Sequence, residues 1–322
     1  MLENKTLIEN IDRSGYIFTS DIHNNVKTLQ LIKNARQRYP QFTLVGGGDY
    51  IDGHRSAYEV LNYLMGMQNK VLLKGNHEQM LLNFAKGDDF PITGFADVIA
   101  PLWWSNGGKT TLAGLFHKHY NNHNYEMAVK AILTSKYYKW FKRMPIMYET
   151  PHIIFVHGGI HSDGNYNNPA KYPSGIDPSD DNYDMYRLWA REEYWYRNDK
   201  PVIDSDTGIR CNFTYPDDNL HYFAHNKTGK TIVTGHTPTS LISGAYDDFT
   251  IANHHVVLCG KFTQNTVLQI QYPGEPARIF TDGGCHGSYT NNWGNVTIFS
   301  PLGEIIDIFD YQHPQGGGKA RK

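Results

Sequence analysis

A short apolar run, a polar tip and then a helical stripe: this rhythm repeats through the first eighty residues of the chain. Tyr16-Ile17-Phe18-Thr19 breaks at Ser20-Asp21-Ile22-His23 and reads as a buried strand, since a brief apolar run bounded by turn formers suits a strand covered on both faces. Val26, Leu29, Ile32 and Ala35 then recur at the spacing of one helix face, and Pro40 marks the stop. Phe42-Thr43-Leu44-Val45 is the next strand and ends at Gly46-Gly47-Gly48-Asp49. A second helix is expected from Ala57 to Met67. Val71-Leu72-Leu73 makes a third strand, ending at Gly75-Asn76-His77-Glu78. Strands alternating with helices imply βαβ units and a sheet with parallel strands.

Residues from about 87 to 145 break the rhythm. Trp103, Trp104, several Asn and the histidines His117, His119 and His123 lie among helical stretches such as Tyr125 to Phe141. This segment reads as a helical insertion on the core, without strands of its own. Strand signals return at Ile153-Ile154-Phe155-Val156 and Thr231-Ile232-Val233. Between them, Asp163 to Asp184 is rich in Asn, Asp, Pro and Tyr and is expected to form a loop on the ligand side of the fold. From about Ile251 onward, runs at Val256–Leu258, Val267–Ile270, Val296–Phe299 and Ile305–Ile308 predict an antiparallel or mixed second sheet.

Composition adds limits. Hydrophobic residues make up 40% of the 322 and charged residues 19%, a balance that fits a packed globular chain. The formal net charge is -2 and no basic stripe is present, so nothing signals a nucleic-acid partner. Cys211, Cys259 and Cys285 are widely spaced and odd in number, which suggests neither a disulfide framework nor a zinc ribbon. The opening residues lack the apolar core of a signal peptide, and no apolar run reaches the ~18 residues of a membrane span. The expectation is a soluble, cytoplasmic protein of one domain over 1–322, with a short flexible tail at 314–322 around Gly316-Gly317-Gly318.

Chemistry collects at the strand ends, where sheets of this kind gather ligands. Asp21-x-His23 alone is an ordinary polar turn. Gly48-Asp49-x-x-Asp52-Gly53 carries more weight, because a glycine turn lets the backbone approach a ligand. It has neither the Gly-Lys-Ser/Thr of a phosphate loop nor the spacing of a dinucleotide fingerprint. Asn76 and His77 alone would cap a helix, and His157 or His236 alone would be a hydrogen-bonded core histidine. Together they change meaning: five strand ends, in order, each present a ligand-capable side chain beside glycine. Asp, His and Asn without Cys suit manganese, iron or zinc rather than a thiolate site. Two ions are served if one carboxylate bridges them, and Asp49, in the middle strand, is the candidate.

Two divalent ions about 3.5–4 Å apart share a water and lower its pKa from about 15.7 toward about 7. They also orient a phosphate group for in-line attack. The leaving alkoxide then needs a proton, which His77 can supply while Asp52 holds its ring. Arginine's planar fork suits the remaining phosphate oxygens. Arg191, in Leu188-Trp189-Ala190-Arg191, and Arg55, just past the Asp52 loop, are the candidates. His117, His119 and His123 read as surface or packing residues.

As a set, Asp21-Ile22-His23, Gly48-Asp49-Tyr50-Ile51-Asp52, Gly75-Asn76-His77-Glu78, His157-Gly158-Gly159 and Gly235-His236-Thr237-Pro238 resembles the calcineurin-like metallophosphoesterases. Within them it is most similar to the phosphoprotein phosphatase branch, with its bacterial and phage serine/threonine phosphatases and diadenosine tetraphosphatases. The likeness runs from residue 16 to about 300 and leaves the segments near 87–145 and 163–230 uncovered. It implies an α/β fold, a four-layer αββα sandwich with a helical insertion. It also implies one metal ion on Asp21, His23 and Asp49 and a second on Asp49, Asn76, His157 and His236, with His77 and Asp52 as the proton-donating pair. Trp189-Ala190-Arg191 is similar to the segment that carries a phosphate-binding arginine, and Thr281-Asp282-Gly283-Gly284-Cys285 resembles a late strand entry of the same branch. Two positions depart. Gly53 stands where the family's Gly-Asp-x-x-Asp-Arg-Gly has arginine, leaving Arg55 to swing in or substrate choice to differ, and Asn24 replaces a glycine of the first motif.

The reading is dimetal-dependent hydrolysis of phosphate monoesters, on a phosphoserine/phosphothreonine protein or a small phosphorylated metabolite, with manganese as the first-choice ion. A phosphodiesterase or dinucleoside polyphosphate hydrolase on the same site is the alternative. The family's diesterases often carry Gly-His-x-His in the last motif, and Pro238 occupies that place here. A non-catalytic metal-binding scaffold would have lost ligands or the acid, and this chain keeps them.

Overall fold

A computed structural model describes residues 6–8, 14–88, 91–92, 100–120, 124–160, 164, 183–195, 202–203, 210–211, 223–239, 242, 255–259, 267–286 and 293–317. In chain order the first elements are β1 (Thr6–Ile8), β2 (Tyr16–Thr19), α1 (Val26–Arg38), β3 (Thr43–Gly46), α2 (Ala57–Gly66), β4 (Lys70–Leu72) and α3 (Asn76–Lys86). The pair β5 (Pro91–Ile92) and β6 (Ala100–Pro101) follows, with a π-type turn at Trp104–Gly108. Then come α4 (Lys109–Phe116), α5 (Tyr125–Thr134), α6 (Lys136–Arg143), β7 (Met147–Glu149) and β8 (Ile153–Val156). The second half holds α7 (Tyr183–Trp189), α8 (Glu192–Trp195), β9 (Val202–Ile203), β10 (Arg210–Cys211) and β11 (Thr231–Thr234). It closes with β12 (His255–Cys259), β13 (Val267–Gln271), β14 (Arg278–Phe280), β15 (Val296–Phe299) and β16 (Ile305–Phe309).

Two larger sheets result. The first has the order β16-β15-β2-β3-β4 and the second β1-β7-β8-β11-β14-β13-β12. The strands that carry the polar tips run parallel: β2 with β3, β3 with β4, and β11 with β8. Alternation along each strand sorts side chains to two faces. Tyr16 and Phe18 enter a cluster with Val45, Tyr148, Phe155, Val233, Ile279 and Phe299, drawn from both sheets. Ile17 and Leu44 point the other way and join α1, α2, α3 and the helices of the 100–144 segment. On the far side Ile154, Val156 and Ile232 pack with Tyr186, Tyr194 and Trp195. The layers are therefore helices, sheet, sheet, helices. Both faces of every central strand are buried, which is why these strands read as unbroken apolar runs.

Several expectations need correction. Val296–Phe299 and Ile305–Ile308 were expected in the second sheet, yet β15 pairs with β2 and closes the first. Alternation gives a strand's faces but not its partner, and the long return of the chain decided the pairing. Tyr125 to Phe141 is two helices, because Ser135 leaves helical geometry (φ -77°, ψ 155°) and its side chain caps α6 by accepting from the Tyr138 N–H. The segment from 87 to 145, expected to carry no strands of its own, holds the short antiparallel pair β5–β6, and β1, β7 and β14 answer to no run read from the sequence. The tail expected to be flexible from 314 is fastened through residue 317: Asn34 donates to the Pro314 carbonyl at 2.6 Å and Arg38 to that of Gln315 at 3.0 Å. Residues 318–322, His123 and nearly all of the predicted 163–184 loop lie outside the described residues. No helix among the described residues is long and apolar enough to cross a membrane.

Phe155 is the hub between the sheets. It stacks on Phe18 at 5.4 Å and on Tyr148 at 5.9 Å and meets Tyr16 and Phe299 edge-on. Phe155→Ala is expected to cost about 3–5 kcal/mol, the usual range for emptying a buried aromatic site, read as a fall in the urea unfolding midpoint.

Candidate metal centre

Every candidate ligand sits just past a strand. Asp21 and His23 follow β2, Asp49 and Asp52 follow β3, and Asn76 and His77 open α3 after β4. His157 follows β8 and His236 follows β11. The turns are laced together by backbone: Asp21 N–H donates to the Gly48 carbonyl, His23 N–H to that of Asp49, and Gly235 N–H to that of His157, each at 2.9–3.0 Å. Asp21 reaches across to the second sheet by accepting from the His236 N–H at 3.0 Å. Asp21, His23, Asp49, Asp52 and His236 all have positive φ, between 46° and 69°. Side-chain-bearing residues rarely adopt this region, and such strain gathers at functional sites.

The arrangement separates into two donor sets that share one carboxylate. Asp21, His23 and Asp49 form one, and Asp49, His157 and His236 the other, with ligand atoms within 4.8 Å of one another in each. The rings are oriented by their outer nitrogens. His23 Nδ1–H donates to the Ile51 carbonyl and His157 Nδ1–H to that of Gly47, both at 2.8 Å. Each Nε2 therefore turns inward, to 3.8 Å and 3.3 Å from Asp49 Oδ2, the carbonyl-backed geometry typical of metal-binding histidine. Asn76 Oδ1 lies 2.9 Å from His157 Nε2. Oxygens converging on one ring nitrogen require a cation between them, a proton or a metal ion. His236 Nε2 is buried and has no hydrogen-bond partner among the described residues. A buried acceptor left this way is costly, and a metal ion satisfies it. The donor set therefore fits two ions of the manganese, iron or zinc type.

The charges are strongly interdependent. Burial opposes the Asp49 carboxylate, but His157, His77 and His23 together hold its pKa well below the usual range. Burial also opposes a charged His157, yet Asp49 and then Asp21 outweigh it and raise the ring to about 9. His23 and His236 go the other way: burial, reinforced by neighbouring cationic rings, lowers both well below normal. Their neutral form carries the lone pair that a metal ion needs.

His77 stands beside this centre. Its Nδ1–H donates to Asp52 Oδ2 at 2.7 Å, while Nε2 faces Asp49 Oδ2 at 3.8 Å. Burial lowers its pKa, but the Asp49 charge and the Asp52 hydrogen bond prevail and lift it to about 9. Asp52 is fully buried and saturated: Trp103 Nε1–H donates to Oδ2 at 3.0 Å and Thr111 Oγ1–H to Oδ1 at 2.7 Å. The ring is thus held by Asp52 through Nδ1, with Nε2 turned toward the centre.

Residues 16–240 match the family described as calcineurin-like phosphoesterase. The chain belongs to this family. Its members are metal-dependent phosphoesterases, and the clustered His and Asp groups agree with that chemistry. No curated protein sequence matches the chain. Solved structures similar to it include a candidate diadenosine tetraphosphatase, 16% identical with 95% of this chain and 97% of that one covered, at a TM-score of 0.48. A cold-active protein-tyrosine phosphatase of a psychrophilic Shewanella species is 17% identical, covering 96% and 80%, at 0.47. A metallophosphoesterase from Sphaerobacter thermophilus is 12% identical, covering 94% and 89%, at 0.44.

In this calcineurin-like chain the two candidate arginines part ways. Arg191 is half-buried and donates to Thr237 Oγ1 at 3.0 Å, one residue from His236. Arg55 is exposed and makes no hydrogen bond or ion pair among the described residues. Four neighbours of the site were not singled out from sequence. Glu78 is fully buried and accepts from the N–H groups of Asp49, Tyr50 and Gly75 at 2.8–2.9 Å. It ties the β3 turn to the start of α3. Trp103 and Thr111 fix Asp52 from the helical segment, and His286 lies against His23 and His77. Only Glu78 had a signal, as the third residue of a helix start, where a capping carboxylate belongs.

Gly75 shows how tightly Asp49 is seated, since a Cβ there would run into the Asp49 carboxylate and backbone N. Gly75→Ala is expected to leave a folded protein by circular dichroism that binds at least tenfold less metal by elemental analysis.

Proposed function

We propose that this chain hydrolyses phosphate monoesters, with Asp21, His23 and Asp49 holding one divalent ion and Asp49, Asn76, His157 and His236 holding a second. The observation that carries the reading is Asp49: its carboxylate is common to both donor sets, and the His77 Nε2–H faces the same oxygen. When bound, two such ions neutralise phosphate oxygens and acidify a water enough for attack near neutral pH. The protein's own residues do the rest. His77 Nε2–H protonates the departing oxygen. Asp52 keeps that ring turned and charged, with Trp103 and Thr111 occupying the carboxylate so that it cannot rotate away. Arg191 is suited to hold a phosphate oxygen on the His236 side. Arg55, exposed in this structure, would have to move to take part. Pro238, in place of a further histidine, favours the monoester over a diester.

p-Nitrophenyl phosphate should be hydrolysed by the manganese-loaded protein, lost on chelation and restored by manganese. Absence of turnover with any divalent ion, despite two ions per chain, would count against the proposal. His77→Ala should lower kcat by roughly 10²–10⁴-fold with metal content unchanged, and a variant of full activity would remove the proton-donor role. Asp49→Asn should lose both ions together; retention of two per chain would remove Asp49 as the shared ligand.

A further inference from the structure

Three imidazoles stand together beside the centre. The His286 ring lies 4.5 Å from that of His23 and 4.9 Å from that of His77, and His23 and His77 are 4.8 Å apart. One nitrogen of each falls within 4.8 Å of the others. His23 and His77 are buried, whereas His286 is exposed. The reaction proposed above uses the first two and leaves His286 without a task. Among the described residues its one hydrogen bond is a long one, 3.5 Å between Nε2 and the Asn106 carbonyl. Asp52 occupies His77 Nδ1, which makes His77 Nε2 the nitrogen that stays open to a new partner.

Imidazole nitrogens clustered in this way favour zinc, nickel or copper over manganese, magnesium or calcium. We propose that His77 and His286 form an accessory, inhibitory site for a zinc ion. His77 Nε2 and one nitrogen of His286 bind it, with water completing the shell, while His23 flanks the ion and keeps its own Nε2 for the first catalytic ion. The zinc–nitrogen bond replaces the proton on His77 Nε2, and that proton passes to solvent. The donor of the leaving-group proton is thereby silenced while the ligands of both catalytic ions stay as they are. Zinc in excess then regulates an enzyme that manganese activates. The inhibition rests on the function proposed above; the binding does not.

The test titrates zinc chloride into manganese-loaded protein, following p-nitrophenyl phosphate hydrolysis and counting bound ions by equilibrium dialysis with elemental analysis. The proposal expects inhibition with manganese retained, and one zinc bound beyond the two manganese ions. His286→Ala should need at least tenfold more zinc for half inhibition and should bind one zinc fewer. The same inhibition curve in both proteins would overturn it, and so would inhibition matched in both by release of manganese. If the protein hydrolyses nothing, the functional reading fails separately. The zinc count still decides: an extra ion lost in His286→Ala supports the site, and equal counts overturn it.

Discussion

The Asp49 carboxylate is a buried negative charge, and most of the site exists to make that charge tolerable. An isolated carboxylate in a protein interior would be driven to its neutral form. Here the rings of His157, His77 and His23 surround it, and Oδ1 accepts from the His77 N–H at 3.0 Å in the first turn of α3. The helix thus turns its positive end toward the anion. Glu78, a second buried carboxylate, is held by three backbone N–H groups and fixes the relation of the β3 turn to that helix. Burial and the Asp49 charge raise Glu78 to about 7, against the pull of those N–H groups. Two acids this close need positive charge and N–H donors around them, which the three imidazole rings and the backbone supply.

The scaffold's task is to bring the ends of two sheets to one place. Phe18, Tyr148, Phe155 and Phe299 interlock between the sheets, so β2 and β8 cannot slide against each other without opening the core. The turns beyond those strands are then joined by hydrogen bonds too short in reach to tolerate a shift of one residue. Asp21 receives the His236 N–H from the opposite sheet. Packing density within the sandwich therefore becomes positional accuracy at its edge.

The helical segment after α3 is bound into the chemistry as well as the core. Trp103 and Thr111 come from it, and both donate to Asp52, which in turn orients His77. Asn24, in the place of a motif glycine, donates to the His54 carbonyl and to Thr111, so the departure from the family pattern serves the same network. The contact is close on that side: a Cβ at Gly107 would approach the Gly53 N and the Asp52 Cβ at 3.0–3.1 Å. Glycine at 107 lets the insertion close down directly on the residue that orients His77.

The sequence by itself determined the alternating core strands, the helices between them and the six metal-ligand candidates. Those depend on local rules: alternation, helical spacing, and glycine next to a polar strand end. The pairing of Nδ1 of His77 with Asp52, expected from their motifs, is found at 2.7 Å. Tertiary structure alone decided that β15 and β16 return to the first sheet, that Pro314 and Gln315 fasten to α1 and Gly317 to Asp307 on β16, and that Arg55 stays at the surface. It alone brought Trp103, Thr111 and His286 to the site from 51, 59 and more than two hundred residues away from Asp52 or His77. The reason is physical. A strand end announces itself through its neighbours in the chain, whereas a contact between distant segments depends on packing energy summed over the whole fold, and no single stretch of residues carries it.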